Sequence, residues 1–262
     1  LYFMDEPLSD SAVIPTYLIS KSAKERGIKV LLSGTGGDDI FSGYRRHQAL
    51  FIEEYFKWLP KSALTSLEKI TKNLNQNKPF FRRISKFFRE TSLDSETRLI
   101  KYFHWIQRSD LQVLYTPSFK EKISMQSPHD PLMHFLREIP KDTTKLTRML
   151  ALEQRFFLSD HNLNYTDKMS MANGVEIRVP FLDTDLVEFA SKLPDTFKMR
   201  HFETKWILKK AMEPLLPKKI IYRKKTGFGV PLRQWLKQEL SGLVTELLNE
   251  KSLKNRSFFD HE

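Results

Sequence analysis

The sequence predicts an α/β fold that is mostly helical, with a parallel sheet taking up few of its residues. Three observations carry this. An apolar run, Ile28 to Leu32, is short, lacks a helical period and ends at Ser33-Gly34, as a buried strand entering a loop does. A helical pattern precedes it, through Ile14, Tyr17, Leu18 and Ala23 to Gly27. From residue 37 to about 175, apolar residues recur at three-and-four spacing almost without interruption.

In chain order, Leu1 to Met4 reads as the end of a buried element. Asp5-Glu6-Pro7 breaks it, since Pro7 biases Glu6 away from helix. A helix then runs from Ser11, with Pro15 in its first turn, where proline is tolerated, and Gly27 as its C-cap. Strand 28–32 completes one αβ unit. A parallel sheet cannot be one strand wide, so earlier strands are expected upstream of residue 1. The expected organisation is one partial domain over 1–262, with an αβ unit at 1–52 and a mainly helical portion at 53–262. Helices are expected near 38–58, 62–74, 79–90, 94–107, 109–115, 129–138, 143–158 and 160–173, punctuated by Pro60, Pro117, Pro128, Pro131 and Pro140.

The stretch after the strand is Ser33-Gly34-Thr35-Gly36-Gly37-Asp38-Asp39, followed by Ile40-Phe41. Glycines let backbone approach a ligand closely, and open α/β sheets bind ligands beyond the carboxyl ends of their strands. Backbone N–H groups there can hold phosphate, and an aspartate can hold Mg²⁺. The loop is neither a dinucleotide fingerprint, because Asp39 stands at the third glycine, nor a Walker A loop, because no Gly-Lys-Ser/Thr follows. The plain structural alternative is a glycine turn with Asp39 as helix N-cap.

Composition narrows the classes. The 262 residues are 40% hydrophobic and 29% charged, ordinary for a soluble globular protein. No apolar run approaches the roughly 18 residues of a membrane span. Cysteine is absent, which rules out disulfides, thiolate metal sites and a cysteine nucleophile in this chain, and a reducing cytoplasmic setting fits. The histidines show no HExxH or other ligand spacing, which argues against structural zinc. A net charge of +11 suits an anionic partner, or solubility alone. The segment 80–89 interleaves phenylalanines with Arg and Lys, a pattern of nucleic-acid binders and equally of an amphipathic helix with its aromatics inward.

Two further stretches stand out. Asp167 to Asp183 ends a helix at Gly174 and continues as an extended piece with Glu176 and Arg178 on one face. Pro180 halts that piece, and Asp183 or Thr184 caps a helix at 185–192. Its charges, Asp167, Lys168, Glu176, Arg178 and Asp183, suit an ion-pair network or the wall of an anion site. Ile221 to Leu236 places Gly227 and Gly229 after the basic triplet Arg223-Lys224-Lys225, a loop able to carry a lysine to a ligand, and Pro231 opens a helix.

Jointly, the three stretches resemble the synthetase domain of the asparagine synthetase (glutamine-hydrolysing) family. Ser33 to Tyr44 is similar to the family's Ser-Gly-x-Gly-x-Asp-Glu/Asp-x-Phe-x-Gly-Tyr, with Asp5-Glu6-Pro7 ahead of it. Asp167 to Asp183 is similar to Asp-x-x-x-Met-Ala-x-Gly-x-Glu-x-Arg-x-Pro-Phe-Leu-Asp. Arg223, Lys225, Gly227, Phe228 and Pro231 match Arg-x-Lys-x-Gly-Phe-x-x-Pro. The resemblance implies the C-terminal portion of an adenine-nucleotide α-hydrolase-like (ATP-pyrophosphatase) domain, with a parallel sheet and a large helical part. It implies an ATP-binding ligase of asparagine biosynthesis that adenylates a carboxylate, aspartate by default, and lets ammonia displace AMP. ATP and Mg²⁺ are then the cofactors. The implied partners are a small carboxylate substrate, ammonia or glutamine through an upstream glutaminase domain, and a second copy of the chain. By the same resemblance Asp38 matches the Mg²⁺–pyrophosphate ligand, and Lys225 the lysine that stabilises the adenylation and amidation transition states. Ser33, Gly34, Thr35, Gly36 and Gly37 would lie beside the nucleotide, and Arg178 would support the Glu176/Asp167 wall.

Two departures qualify the match. The family's Ser-Gly-Gly-x-Asp-Ser pyrophosphate loop is absent, as is the glutaminase domain with its cysteine, so this chain alone is expected to be catalytically incomplete. Thr35 stands where asparagine synthetases usually carry Glu or Asp, and Thr cannot act as a carboxylate base. Asp38, Asp39, Glu153 and Asp160 are candidates to replace it, or the acceptor differs from aspartate. A catalytically silent fragment and a basic nucleic-acid-binding module are the competing readings.

Overall fold

The computed structural model describes residues 2–56, 58–75, 78–88, 93–104, 106, 108–123, 127–224 and 227–260. It is an α/β protein, mostly helical, organised around two αβ units laid side by side. In the first, the helix Val13–Glu25 ends in a Schellman cap: Gly27 N donates to the Lys24 carbonyl and Ile28 N to that of Ala23. Strand β1 (Val30–Leu32) follows. In the second, the helix Asn164–Met171 ends the same way, with Gly174 N on the Met171 carbonyl and Val175 N on that of Ser170. Strand β2 (Glu176–Arg178) follows and pairs in parallel with β1, Val30 opposite Glu176 and Leu32 opposite Arg178. The two helices pack on each other, Ser20 of the first and Ser170 of the second are both buried, and Asn173 Nδ2 donates to the Tyr17 carbonyl at 3.3 Å.

Parallel pairing fixes the geometry of the site, because both strands end at the same edge. Their carboxyl ends deliver Ser33 and Val179 side by side, and Ser33 N extends the ladder to the Arg178 carbonyl at 2.8 Å. The sheet's partner strand therefore lies downstream, at 176–178, where the sequence shows only an extended piece. The expectation of a buried strand needs correction. Val30 is 41% and Leu32 75% exposed, since nothing among the described residues covers that face.

The main core is helical. Leu50, Leu99, Ile100, Leu136, Met149 and Leu152 are all at most 4% exposed and pack as one cluster. A second cluster, Ile40, Phe41 and Ala190 with Phe181 and Leu182, lies directly under the glycine loop. The helix predicted at 38–58 is two, Gly37–Ile40 and Arg45–Phe56, parted by a turn in which Ser42 takes φ +62°. The two predicted at 143–158 and 160–173 are one continuous helical run. It is α-helical over Lys145–Leu152, π-helical over Glu153–Leu163 and α-helical again to Met171. A π-helix of this length is rare, and such segments gather at functional sites. The helix Pro117–Ile123 was not expected. The aromatic-basic segment forms the helix Pro79–Phe88, with Phe87 and Phe88 edge-on to Phe56 at 5.8 and 5.7 Å, the amphipathic arrangement. A hairpin, β3 (Met199–Arg200) and β4 (Glu203–Thr204), precedes the helix Trp206–Met212.

Candidate active site

The glycine loop is shaped by what packs beneath it. Gly36 has φ +91°, and a Cβ there would overlap the side chain of Leu182. At Gly37 a Cβ would stand 3.3 Å from the Phe181 ring. The Pro180-Phe181-Leu182 turn that ends β2 thus seats the loop that ends β1, which is how two stretches 145 residues apart in sequence become one site. Gly43 closes the loop: its N–H donates to the Asp38 carbonyl at 2.8 Å, and a Cβ there would overlap the Asp38 carboxylate. Ser33 and Thr35 share a hydroxyl–hydroxyl hydrogen bond of 2.7 Å.

The two loop aspartates part company. Asp38 keeps 26% of its side chain exposed, and its Oδ1 lies 2.9 Å from Lys205 Nζ. Asp39 is 1% exposed and points inward. It is not the N-cap; Gly36 occupies that place, and Asp39 sits within the short helix because its carboxylate has a buried partner. That partner is the Tyr44 hydroxyl, 3.2 Å from both carboxylate oxygens, which in turn accepts from Asn162 Nδ2 at 3.1 Å. Burial first, and the nearby Glu153 carboxylate second, push the Asp39 carboxyl up to about 7, against the Tyr44 hydrogen bond. Burial and the same carboxylates hold the Tyr44 phenol well above its usual range.

Glu153, a predicted catalytic candidate, is fully buried on this inner side. Arg46 Nε pairs with one oxygen and His47 Nε2 lies 2.8 Å from the other. His47 Nδ1 accepts from Tyr44 N at 3.3 Å, so Nε2 carries the proton toward Glu153. The Arg46 guanidinium is stacked at 4.4 Å on both Tyr44 and Phe157. Each Glu153 oxygen thus has a nitrogen partner, an arrangement that supports the loop from behind. Asp160, on the same π-helix, is 61% exposed at its side chain and turns to Ser159 and Arg155. The structure therefore carries Ser33, Gly34, Thr35, Gly36, Gly37 and Asp38 on one loop, with Glu153 buried behind it and Asp160 exposed on the π-helix.

The five charges of the second stretch do not form one network. Lys168 pairs with Asp5 at 2.7 Å, Arg178 with Glu176 at 2.8 Å, and Asp183 caps the helix Thr184–Lys192 by accepting from Asp185 N and Leu186 N. Lys225 lies outside the described residues. The loop just beyond it passes the start of the first helix, where a Cβ on Gly229 would stand 3.7 Å from Ser11 Oγ. Lys205 is the site residue that sequence reasoning missed. No motif marks it, and it reaches Asp38 only because a hairpin turns the chain back onto the loop.

No group of three His, Cys, Asp or Glu able to hold a metal ion occurs among the described residues, and no described helix is long and apolar enough to cross a membrane. A single part-exposed carboxylate in a glycine loop does suit Mg²⁺ carried in on a nucleotide, because that ion is commonly held by one or two carboxylates plus substrate phosphates.

Paired parallel strands whose carboxyl ends carry a glycine loop and a part-buried carboxylate–ammonium pair define an open α/β protein of the kind that binds ligands at strand ends. The comparison with known families is specific: the chain belongs to the asparagine synthase family, whose model matches residues 1–262. It is 31% identical over 253 residues to asparagine synthetase [glutamine-hydrolyzing] 1 of Bacillus subtilis, covering 95% of this chain and 38% of the relative. It is 26% identical over 235 residues to asparagine synthetase [glutamine-hydrolyzing] 3 of the same organism, covering 86% and 32%. It is also 24% identical over 268 residues to amidase chyE of Penicillium rubens, covering 97% and 40%. The chain thus spans about two-fifths or less of the length of these relatives. No solved structure matches it.

Proposed function

We propose that this chain is the synthetase part of an ATP-dependent, amide-forming ligase of asparagine-synthetase type. An acceptor carboxylate oxygen attacks the α-phosphorus of ATP, and the bond to the bridging oxygen breaks to release pyrophosphate. Ammonia then attacks the acyl carbon, AMP leaves, and the nitrogen sheds a proton. The carboxylate needs this activation because its oxygen is otherwise a poor leaving group.

In this reading Ser33 to Gly37 back the nucleotide, and Asp38 would hold Mg²⁺, which supplies charge neutralisation on the departing pyrophosphate. Lys225 and Lys205 provide cations for the same charge. The observation that carries the proposal is the Asp38–Lys205 pair, 2.9 Å apart and part-exposed at the mouth of the glycine loop. A ligand phosphate could take the place of that carboxylate on the ammonium. The names of the bacterial relatives support glutamine as nitrogen source through a glutaminase domain beyond these residues, and a chain without cysteine suits a cytoplasmic setting.

The acceptor is aspartate by family precedent, but one observation favours another carboxylate. Thr35 spends its hydroxyl on Ser33 and offers no charge where family members usually carry an acid. The similarity to an amidase points the same way. Carboxylate-dependent ATP–pyrophosphate exchange by the intact protein tests both levels. Exchange is expected with at least one acid of a panel containing aspartate, uronic acids and peptide carboxylates. Asp38→Asn and Lys225→Ala are each expected to lower it about a thousand-fold, or roughly 4 kcal/mol. Unchanged exchange in both variants removes the site assignment. Exchange with aspartate alone removes the alternative acceptor.

A further inference from the structure

Positive backbone φ angles gather at one junction of this chain. Among the described residues, five of the eight with positive φ (Gly36, Ser42, His201, Phe202 and Lys205) belong to the glycine-loop region or to the hairpin segment that meets it. Residues with side chains seldom adopt that conformation, and for a bulky residue such as Phe it persists only where surrounding contacts enforce it. A two-residue hairpin turn with both residues at positive φ ordinarily carries Asn-Gly; here it carries His201-Phe202, at +48° and +65°.

The enforcing contacts come from one face of the helix Arg45–Phe56. Gln48 Nε2 donates to the Phe202 carbonyl at 2.8 Å. The Phe202 ring stands edge-on to Phe51 at 5.0 Å and stacks on Tyr55 at 6.0 Å. Positions 48, 51 and 55 follow the spacing of a single helical stripe. Beyond the turn, Glu203 is taken by Lys209 at 3.1 Å, Lys205 N donates to the Phe41 carbonyl at 3.2 Å, and Lys205, itself at φ +55°, extends its ammonium to Asp38.

We propose that the His201-Phe202 turn, clamped on the helix Arg45–Phe56 by Gln48, Phe51 and Tyr55, positions Lys205 against Asp38. Phe202 and Gln48 are thereby positioning residues for the cation of the phosphate site. The inference rests on the reading of that loop as the pyrophosphate side of an ATP site. It explains why a strained turn is kept where Asn-Gly would be relaxed: the aromatic ring at 202 is the clamp, and glycine has none.

The test is carbon-13 reductive methylation of the lysines, which keeps each charge and one N–H, followed by NMR. The Lys205 resonance is identified by its loss in Lys205→Arg, and its position in Asp38→Asn marks the broken pair. In Phe202→Gly and Gln48→Ala it is expected to move at least halfway to that position, although Phe202→Gly relieves the backbone. In Phe202→Tyr it is expected to stay at the wild-type position. A Lys205 resonance unmoved in folded Gln48→Ala and Phe202→Gly overturns the proposal. Should Phe202→Gly fail to fold, Gln48→Ala against Phe202→Tyr decides alone. Magnesium pyrophosphate added to the wild type separates the two claims. A response of Lys205 supports the phosphate reading, and none overturns that reading whatever the hairpin variants show.

Discussion

The outer and inner sides of the glycine loop present the same chemical group in two settings. Outside, Asp38 keeps a quarter of its side chain exposed and shares its charge with Lys205, itself 31% exposed. Inside, Asp39 is buried against Tyr44, with Glu153, Arg46, His47 and Asn162 arrayed behind it. A part-exposed ion pair is worth little to stability, so its members can exchange partners for a ligand at small cost. Buried charges with fixed partners lose heavily when one is removed. The comparison assigns chemistry to the outer side and rigidity to the inner one, and each of the following measurements is a way to break it.

The largest expected effect is on the inner side. Glu153→Ala takes from Arg46 and His47 the buried carboxylate that both contact, and should lower stability by roughly 3–5 kcal/mol by urea unfolding. A loss below about 1 kcal/mol would mean that the cluster is not the loop's support, and Glu153 would return as a candidate for chemistry.

Next comes pH. The Asp39 carboxyl is raised from 3.8 to about 7, so the folded chain holds a proton that the unfolded chain releases across that window. The resulting stability is complete below about pH 4 and is lost as pH climbs through about 7, by up to roughly 4 kcal/mol at 1.4 kcal/mol per unit. Asp39→Asn cannot titrate. The stability of wild type minus that of Asp39→Asn should therefore fall between pH 4 and 7 and level off above. A difference that is flat, or that rises with pH, contradicts the buried, proton-holding setting.

The outer side was the more legible of the two in sequence. Glycines at 34, 36 and 37, the aspartates after them and the Pro-Phe-Leu-Asp turn are marked by residue types with few structural alternatives, and the structure brings them together. Both Schellman caps were likewise visible as Gly27 and Gly174. The inner side was hidden because burial is a tertiary property. Asp39 reads as a cap until Tyr44 and Asn162 are seen around it, and Glu153 reads as an accessible acid on a helix until Arg46 and His47 close on it. The π-helix was missed because three-and-four spacing cannot tell it from α-helix, and the segments read separately at 143–158 and 160–173 are one run. Lys205 was missed because its hairpin lacks the Asn-Gly signal, the strained turn being enforced from a helix some 150 residues earlier in the chain.

The smallest expected effect is the most discriminating control. Asp160 shares the π-helix with Glu153 and carries a carboxylate of the same charge, but its side chain is 61% exposed and its pairing with Arg155, at 3.6 Å, is long. An exposed pair of that kind contributes about 0–1 kcal/mol, so Asp160→Ala should shift the urea midpoint little, within about 0.5 kcal/mol. It should also leave ATP–pyrophosphate exchange at the wild-type rate, since the contacts of its carboxylate are with Ser159 and Arg155 of its own helix. If exchange collapsed in Asp160→Ala while stability held, the acid would have to reach the reacting carboxylate from the exposed face of the π-helix. The boundary between chemistry and support would then run along that helix and not through the glycine loop.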